Sequence, residues 1–166
     1  MDTKKKIHRD DMHTQPASEL SRRCHHHHTS YRSQLLRSDF AILTFNEHLG
    51  NNEKDVKMAQ SVQAKWVGNQ TTPKKFYIEG EPLFGHAYLL IMAYEVHFGG
   101  HTVWINGTQL PFYELPPCKG QWLTSIAPIG IELLGNSDNT VQIRRNEERE
   151  DNFIIGHVVV NWREMF

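Results

Sequence analysis

Apolar and polar residues alternate with a period of two through most of residues 76–162, and that alternation predicts an all-β protein. Thr102-Val-Trp-Ile-Asn106 and Thr140-Val-Gln-Ile-Arg144 show it most cleanly, with Val103, Ile105, Val141 and Ile143 facing inward. Residues 86–98 form a longer run between Gly85 and Gly99, apolar on both faces at first and alternating later. This predicts one long strand, covered on two sides at its start. Further strands are predicted at 40–45, 76–78, 121–126 and 153–162. Asn106-Gly107 is a strong signal for a two-residue hairpin, because Asn and Gly accept the positive φ of a type I′ turn. Turn composition marks 46–52, 135–139 and 146–152. Residues 108–121 carry Pro111, Pro116 and Pro117 and are expected to be a loop. Only 53–64 shows helical spacing, through Val56, Ala59 and Val62, and Lys65-Trp-Val67 reads equally well as the end of a strand. Eight or so strands with frequent turns predict an antiparallel jelly-roll β-sandwich over residues 38–166.

Residues 1–37 follow neither period. They hold eight basic and four acidic side chains, whereas the other 129 residues hold ten and fifteen. The near-neutral total therefore hides a basic arm before an acidic domain. Such an arm is expected to be disordered, and it either stays solvated or orders against a neighbouring subunit; nucleic acid is not the expected partner. With no apolar run long enough for a signal peptide or a membrane span, the expected location is the cytoplasm or a larger particle. The two cysteines, Cys24 in the arm and Cys118 in a Pro-Pro-Cys loop, do not make a disulfide framework.

The order of pieces over 76–162 resembles the galactose-binding-domain-like jelly roll of carbohydrate-binding modules and glycosidase accessory domains. The residues carrying the resemblance are Val103-Trp-Ile-Asn-Gly107, the aromatic segment at Trp122, and Gly135-Asn-Ser-Asp-Asn-Thr-Val-Gln-Ile143. In that class the Gly-x-Asn turn is shorter; here it is stretched to five residues. The resemblance implies a sandwich whose ligand sits at one end, and a structural Ca²⁺ in many members. It does not fix a function, because this sandwich hosts many.

Candidate chemistry is sparse. The tract His25–His28 with Cys24, His8 and His13 has donor atoms for Zn²⁺ but no zinc-motif spacing. His97 and His101 straddle Gly99-Gly100, and His86 and His157 lie near strand ends. The first two would support a metal-dependent enzyme if they faced each other. Acidic residues at 147–151 and Asp138 suit Ca²⁺ or a solvated turn. Among Trp66, Trp104, Trp122 and Trp162, Trp104 is expected to face outward and Trp162 to join the core. An indole can pack on the apolar face of a sugar ring while polar side chains fix its hydroxyls. The reading that follows is a non-catalytic binding module for carbohydrate or a protein partner. Its expected contact residues are Trp104, Trp122, His101, Tyr113 and Arg144, and it needs no obligatory cofactor. The competing reading is a structural subunit of a virion or fibre, which predicts a homo-oligomer.

Overall fold

The computed structural model describes residues 35–166, so the expectations for the arm and for the His25–His28 tract lie outside the described residues. In chain order the elements are β1 (Leu36–Leu49), α1 (Lys57–Ser61), β2 (Lys65–Gly68), β3 (Lys74–Tyr77), β4 (Glu81–Pro82), β5 (Tyr88–Tyr94), β6 (Thr102–Ile105), β7 (Thr108–Glu114), β8 (Trp122–Pro128), a single 3₁₀ turn (Ile131–Leu133), β9 (Asp138–Arg144) and β10 (Phe153–Met165). They form two sheets, β2-β1-β10-β5-β8 with β4 added to β10, and β3-β9-β6-β7. The fold is an all-β sandwich. Its strand pairs are antiparallel except β1 with β2.

The core lies between the inner faces. Leu43, Phe45, Leu89, Ile91, Val158, Val160 and Trp162 come from the large sheet, and Phe76, Val103, Ile105, Leu110, Val141 and Ile143 from the small one. Phe76 and Trp162 meet across the gap at 5.7 Å between ring centroids. Full burial of each such side chain contributes about 1.5–3 kcal/mol. Trp162 joins the core as the alternation predicts. The run of β-branched residues from Val158 to Val160 makes β10 the natural centre of the large sheet, bonded to β1 and β5 on its two sides.

Several boundaries differ from the sequence expectation, each for a local reason. Residues 108–114 are a strand, not a loop. β7 is the outer strand of its sheet, and there Pro111 forfeits no ladder bond that the sheet requires. The long strand expected over 86–98 ends at Tyr94, because Glu95 adopts φ 65° and turns the chain. In β1 the strand runs on through Asn46 to Leu49 after a register shift between Thr44 and Glu47, with Asn46 at φ 48°. Both readings of residues 53–67 hold in part: α1 is one short turn of helix and Lys65 opens β2. The Asn106-Gly107 hairpin forms with both residues at positive φ, 51° and 79°.

The stretched turn before β9 has a clear cause. Asn139 is fully buried; its amide donates to the carbonyls of Gly135 and Ser137, and its Oδ1 accepts from the Gly135 amide and Asn106 Nδ2. One side chain thus staples the turn to the hairpin and satisfies its own polar atoms.

Candidate cleft at one end of the large sheet

At the end of the sandwich where β5 stops and β10 starts, a cleft of about 340 Å³ opens between two walls. One wall comes from the β5–β6 connection and the turn before β10, with Tyr94, Glu95, His97, Glu150 and Asn152. The other comes from the start of α1, with Asp55, Val56, Lys57 and Met58. Tyr94 packs against Trp122 at 5.3 Å. Trp122 in turn lies over Gly156, where a Cβ would come within 2.8 Å of Met92 and 3.1 Å of the indole. Glycine at this position lets the indole settle onto β10. An aromatic pair therefore stands beside a ring of carboxylates, an amide, an imidazole and an ammonium.

The first wall is pinned from beneath. Asp151 is fully buried and accepts from the His97 amide at 3.0 Å, the Phe98 amide at 2.9 Å and His101 Nε2 at 2.8 Å. His101 has no exposure, and its Nδ1 accepts from the Asn146 amide at 3.0 Å. That bond fixes the tautomer with the proton on Nε2, aimed at Asp151. Burial pushes the Asp151 carboxyl up, but the hydrogen bonds from His101 and the two amides outweigh it and hold its pKa below the usual carboxylate value. Glu95 bonds His97 Nε2 through Oε1 at 2.7 Å and accepts from the Gly120 amide through Oε2 at 2.8 Å.

The second wall rests on a different support. His48 is 1% exposed, and neither ring nitrogen has a hydrogen-bond partner among the described residues. Val56, Ala59 and Ile154 form a small apolar cluster at α1, and His48 pairs with Ile154 across the strands. Burial lowers the His48 pKa, with Asp55 and Glu53 pulling the other way. The helix has five residues, no side-chain cap and no acid in its first turn.

The sequence-predicted contact residues do not converge. Trp104 and Arg144 lie on the outer face of the small sheet, where the guanidinium covers the indole at 3.7 Å and Trp104 Nε1 donates to Thr102. Arg144 also donates to Gln142. Trp104 thus faces outward, but its ring is already occupied. Tyr113 is half-buried and shares a 2.6 Å hydrogen bond with Ser125, tying the edge strand of one sheet to that of the other. His101 is a correction: a side chain without exposure, bonded at both nitrogens, is a structural latch and touches no ligand. Only Trp122 stands beside the cleft. Nor do His97 and His101 face each other; they turn to different carboxylates, Glu95 and Asp151.

Sequence reasoning missed Asp55, Tyr94, Glu150 and Asn152 as cleft residues. It read Asp151 as part of a solvated acidic turn, yet Asp151 alone of the residues 147–151 is buried. Among the described residues no group of three or more His, Cys, Asp or Glu is placed to hold a metal ion. Likewise among them, no helix is long and apolar enough to cross a membrane.

Two solved structures align with parts of the chain. Dimeric latent PorU from Porphyromonas gingivalis aligns with a TM-score of 0.45 and 9% identity, over 78% of this chain and 13% of that one. A β-porphyranase of glycoside hydrolase family 86 from the human gut bacterium Bacteroides plebeius aligns with a TM-score of 0.39 and 20% identity, over 57% of this chain and 18% of that one. The chain thus spans less than a fifth of the length of either protein. No curated protein matches it. Residues 37–164 match a family of unknown function, DUF7383, and the chain belongs to that family.

Proposed function

We propose that the chain is a non-catalytic binding domain that takes a carbohydrate in the cleft between Tyr94 and α1. The observation carrying this reading is the meeting of Tyr94, backed by Trp122 outside the opening, with Asp55, Glu95, Glu150 and Asn152 around one cleft of about 340 Å³. A pyranose presents an apolar C–H face to an aromatic ring and hydroxyls to carboxylates and amides, and this lining offers both. The non-catalytic part rests on how the reactive groups are engaged. Glu95 is tied to His97 and Gly120, and Asp151 to His101. Cys118 is buried, and burial pushes its thiol up, away from the reactive thiolate. The galactose-binding-like jelly roll is part of the same proposal; the two-sheet architecture and the ligand position at a sandwich end are compatible with it.

The test is a glycan panel screened against the whole chain, followed by calorimetry on the best binder. Tyr94→Ala should weaken binding by about ten- to a hundredfold, the loss of one aromatic platform. Trp104→Ala, on the other sheet, should leave affinity unchanged. Saturable binding that survives Tyr94→Ala but is lost with Trp104→Ala would move the site to the other face. A second reading, the assembly subunit, is favoured by the exposed apolar residues on the outside of the large sheet.

A further inference from the structure

One row of side chains crosses five strands at the end of the large sheet where the cleft opens. In register, Trp66 of β2 stands beside His48 of β1, His48 beside Ile154 of β10, Ile154 beside Tyr94 of β5, and Tyr94 beside Trp122 of β8. The row faces away from the main core, which takes the neighbouring Leu49, Phe153 and Ala93 instead. Residues 53–62 lie over its middle, where Val56 and Ala59 close on Ile154, with Met58, Val62 and Tyr94 at the margin. Trp66 and Trp122, at the two ends, stay 43% and 37% exposed.

This cover is held to the sheet by apolar contact alone. Among the described residues, the hydrogen bonds of residues 53–61 all stay within 52–64, and no salt bridge reaches them. The ties to the body of the domain lie on either side. Asn51 Oδ1 accepts from Arg145 Nη2 at 2.6 Å before the segment. After it, Asn46 Nδ2 donates to the Val62 and Gln63 carbonyls at 2.9 and 3.2 Å. The segment is thus a flap hinged at both ends, and beneath it lies an imidazole whose two nitrogens have no partner among the described residues. We infer that residues 53–61 are a lid over the sheet, and that protonation of His48 releases it.

The physical reason is that the closed site tolerates a neutral imidazole far better than a charged one. An imidazolium carries two N–H donors and a full charge, and an unpaired buried charge costs far more than an unpaired dipole. Around His48, β10 and β5 bring only Ile154 and Tyr94. On β2, Lys65 flanks Trp66, and on β1, Glu47 turns away to the Thr72 amide and Lys74 Nζ. The lid brings Glu53, Lys54, Asp55 and Lys57, all exposed. Glu53 and Asp55 favour the imidazolium, but burial opposes it more strongly. Lifting the lid replaces the apolar cover with water and restores an ordinary imidazole, so the open form gains as pH falls below about 6.5. The lid also carries the second wall of the cleft, Asp55 to Met58. If the carbohydrate reading holds, on which this consequence rests, its release lets the glycan go at mildly acidic pH.

Amide hydrogen exchange on the full chain, expressed as protection relative to the intrinsic rate at each pH, tests the lid without any ligand. Protection of the Ala59 and Val62 amides should fall about tenfold from pH 7 to pH 5. It should also be indifferent to denaturant below the unfolding transition, the mark of a local opening, whereas β6 and β9 amides respond to denaturant. His48→Leu should abolish the pH change in α1, and so should His48→Gln, which keeps a polar side chain there. The inference is overturned if the α1 amides exchange only together with the strands, or if a folded His48 variant keeps the wild-type change. Glycan affinity should drop several-fold over the same interval in the wild type and not in His48→Leu; an equal drop in both would overturn release by the lid. A panel without any binder counts against the carbohydrate reading alone, since the exchange experiment needs no glycan.

Discussion

The two walls of the cleft stand on opposite kinds of support. Beneath the His97–Asn152 wall, His101 and Asp151 are wholly buried and each polar atom of the imidazole has a partner. Beneath the α1 wall, His48 is as deeply buried, yet neither of its ring nitrogens has a hydrogen-bond partner among the described residues. The difference shows that burial alone does not set what a histidine does for a fold. A satisfied imidazole fixes the backbone around it, whereas an unsatisfied one makes its cover easy to lift. One wall is therefore rigid, and the other is a short uncapped helix held by Val56 and Ala59.

The comparison breaks most visibly at the latch. His101→Ala removes the one side-chain donor to a fully buried carboxylate that keeps its backbone-amide donors, and it leaves a cavity and an unpaired Asn146 amide; it should cost about 2–4 kcal/mol in denaturant unfolding. A cost below about 1 kcal/mol, the value of an ordinary surface change, would mean the latch is not what pins that wall.

A smaller effect sharpens the contrast through pH. The folded pKa of His48 lies below its unfolded value, so its contribution is complete above about pH 6.5 and is lost as pH falls from there toward the folded value. Asp151 behaves in a lower window: its depressed pKa contributes stability above about pH 4, which is lost as pH drops through the folded value. Unfolding free energy should be lower at pH 5 than at pH 7 in the wild type. His48→Leu should flatten that drop and leave stability at pH 7 equal or slightly higher, since it removes two unbonded polar atoms from the interior. If the variant keeps the wild-type slope, His48 is not the titrating group.

How much of this is legible in the sequence follows from how local the determinants are. The alternation of Val103, Ile105, Val141 and Ile143, and the Asn106-Gly107 turn, are contained within a few residues, and the structure places them as read. β7 escapes because Pro111 argues against a strand, and the fact that excuses it, its place at a sheet edge, is a property of topology. The early end of β5 escapes because Glu95 takes a left-handed conformation with no glycine to announce it. The cleft is harder still. Its walls come from residues 55–58, 94–97 and 150–152, which only sheet pairing brings together. Trp122 is visible as an aromatic after a loop, but its neighbour Tyr94 is hidden within an apolar run. His101 shows the converse error: a histidine beside two glycines reads as exposed, and its partner lies 50 residues away.

The central claim is that Tyr94, with the two walls beside it, is where a ligand sits. Amide chemical-shift mapping during titration with the glycan chosen from the panel tests it most directly. Saturable shifts should gather at 55–58, 94–97 and 150–152, with Trp104 and Arg144 unmoved. Shifts gathered instead on the small sheet, or none with any glycan at millimolar concentration, a level that detects even the weakest specific binding, would contradict it.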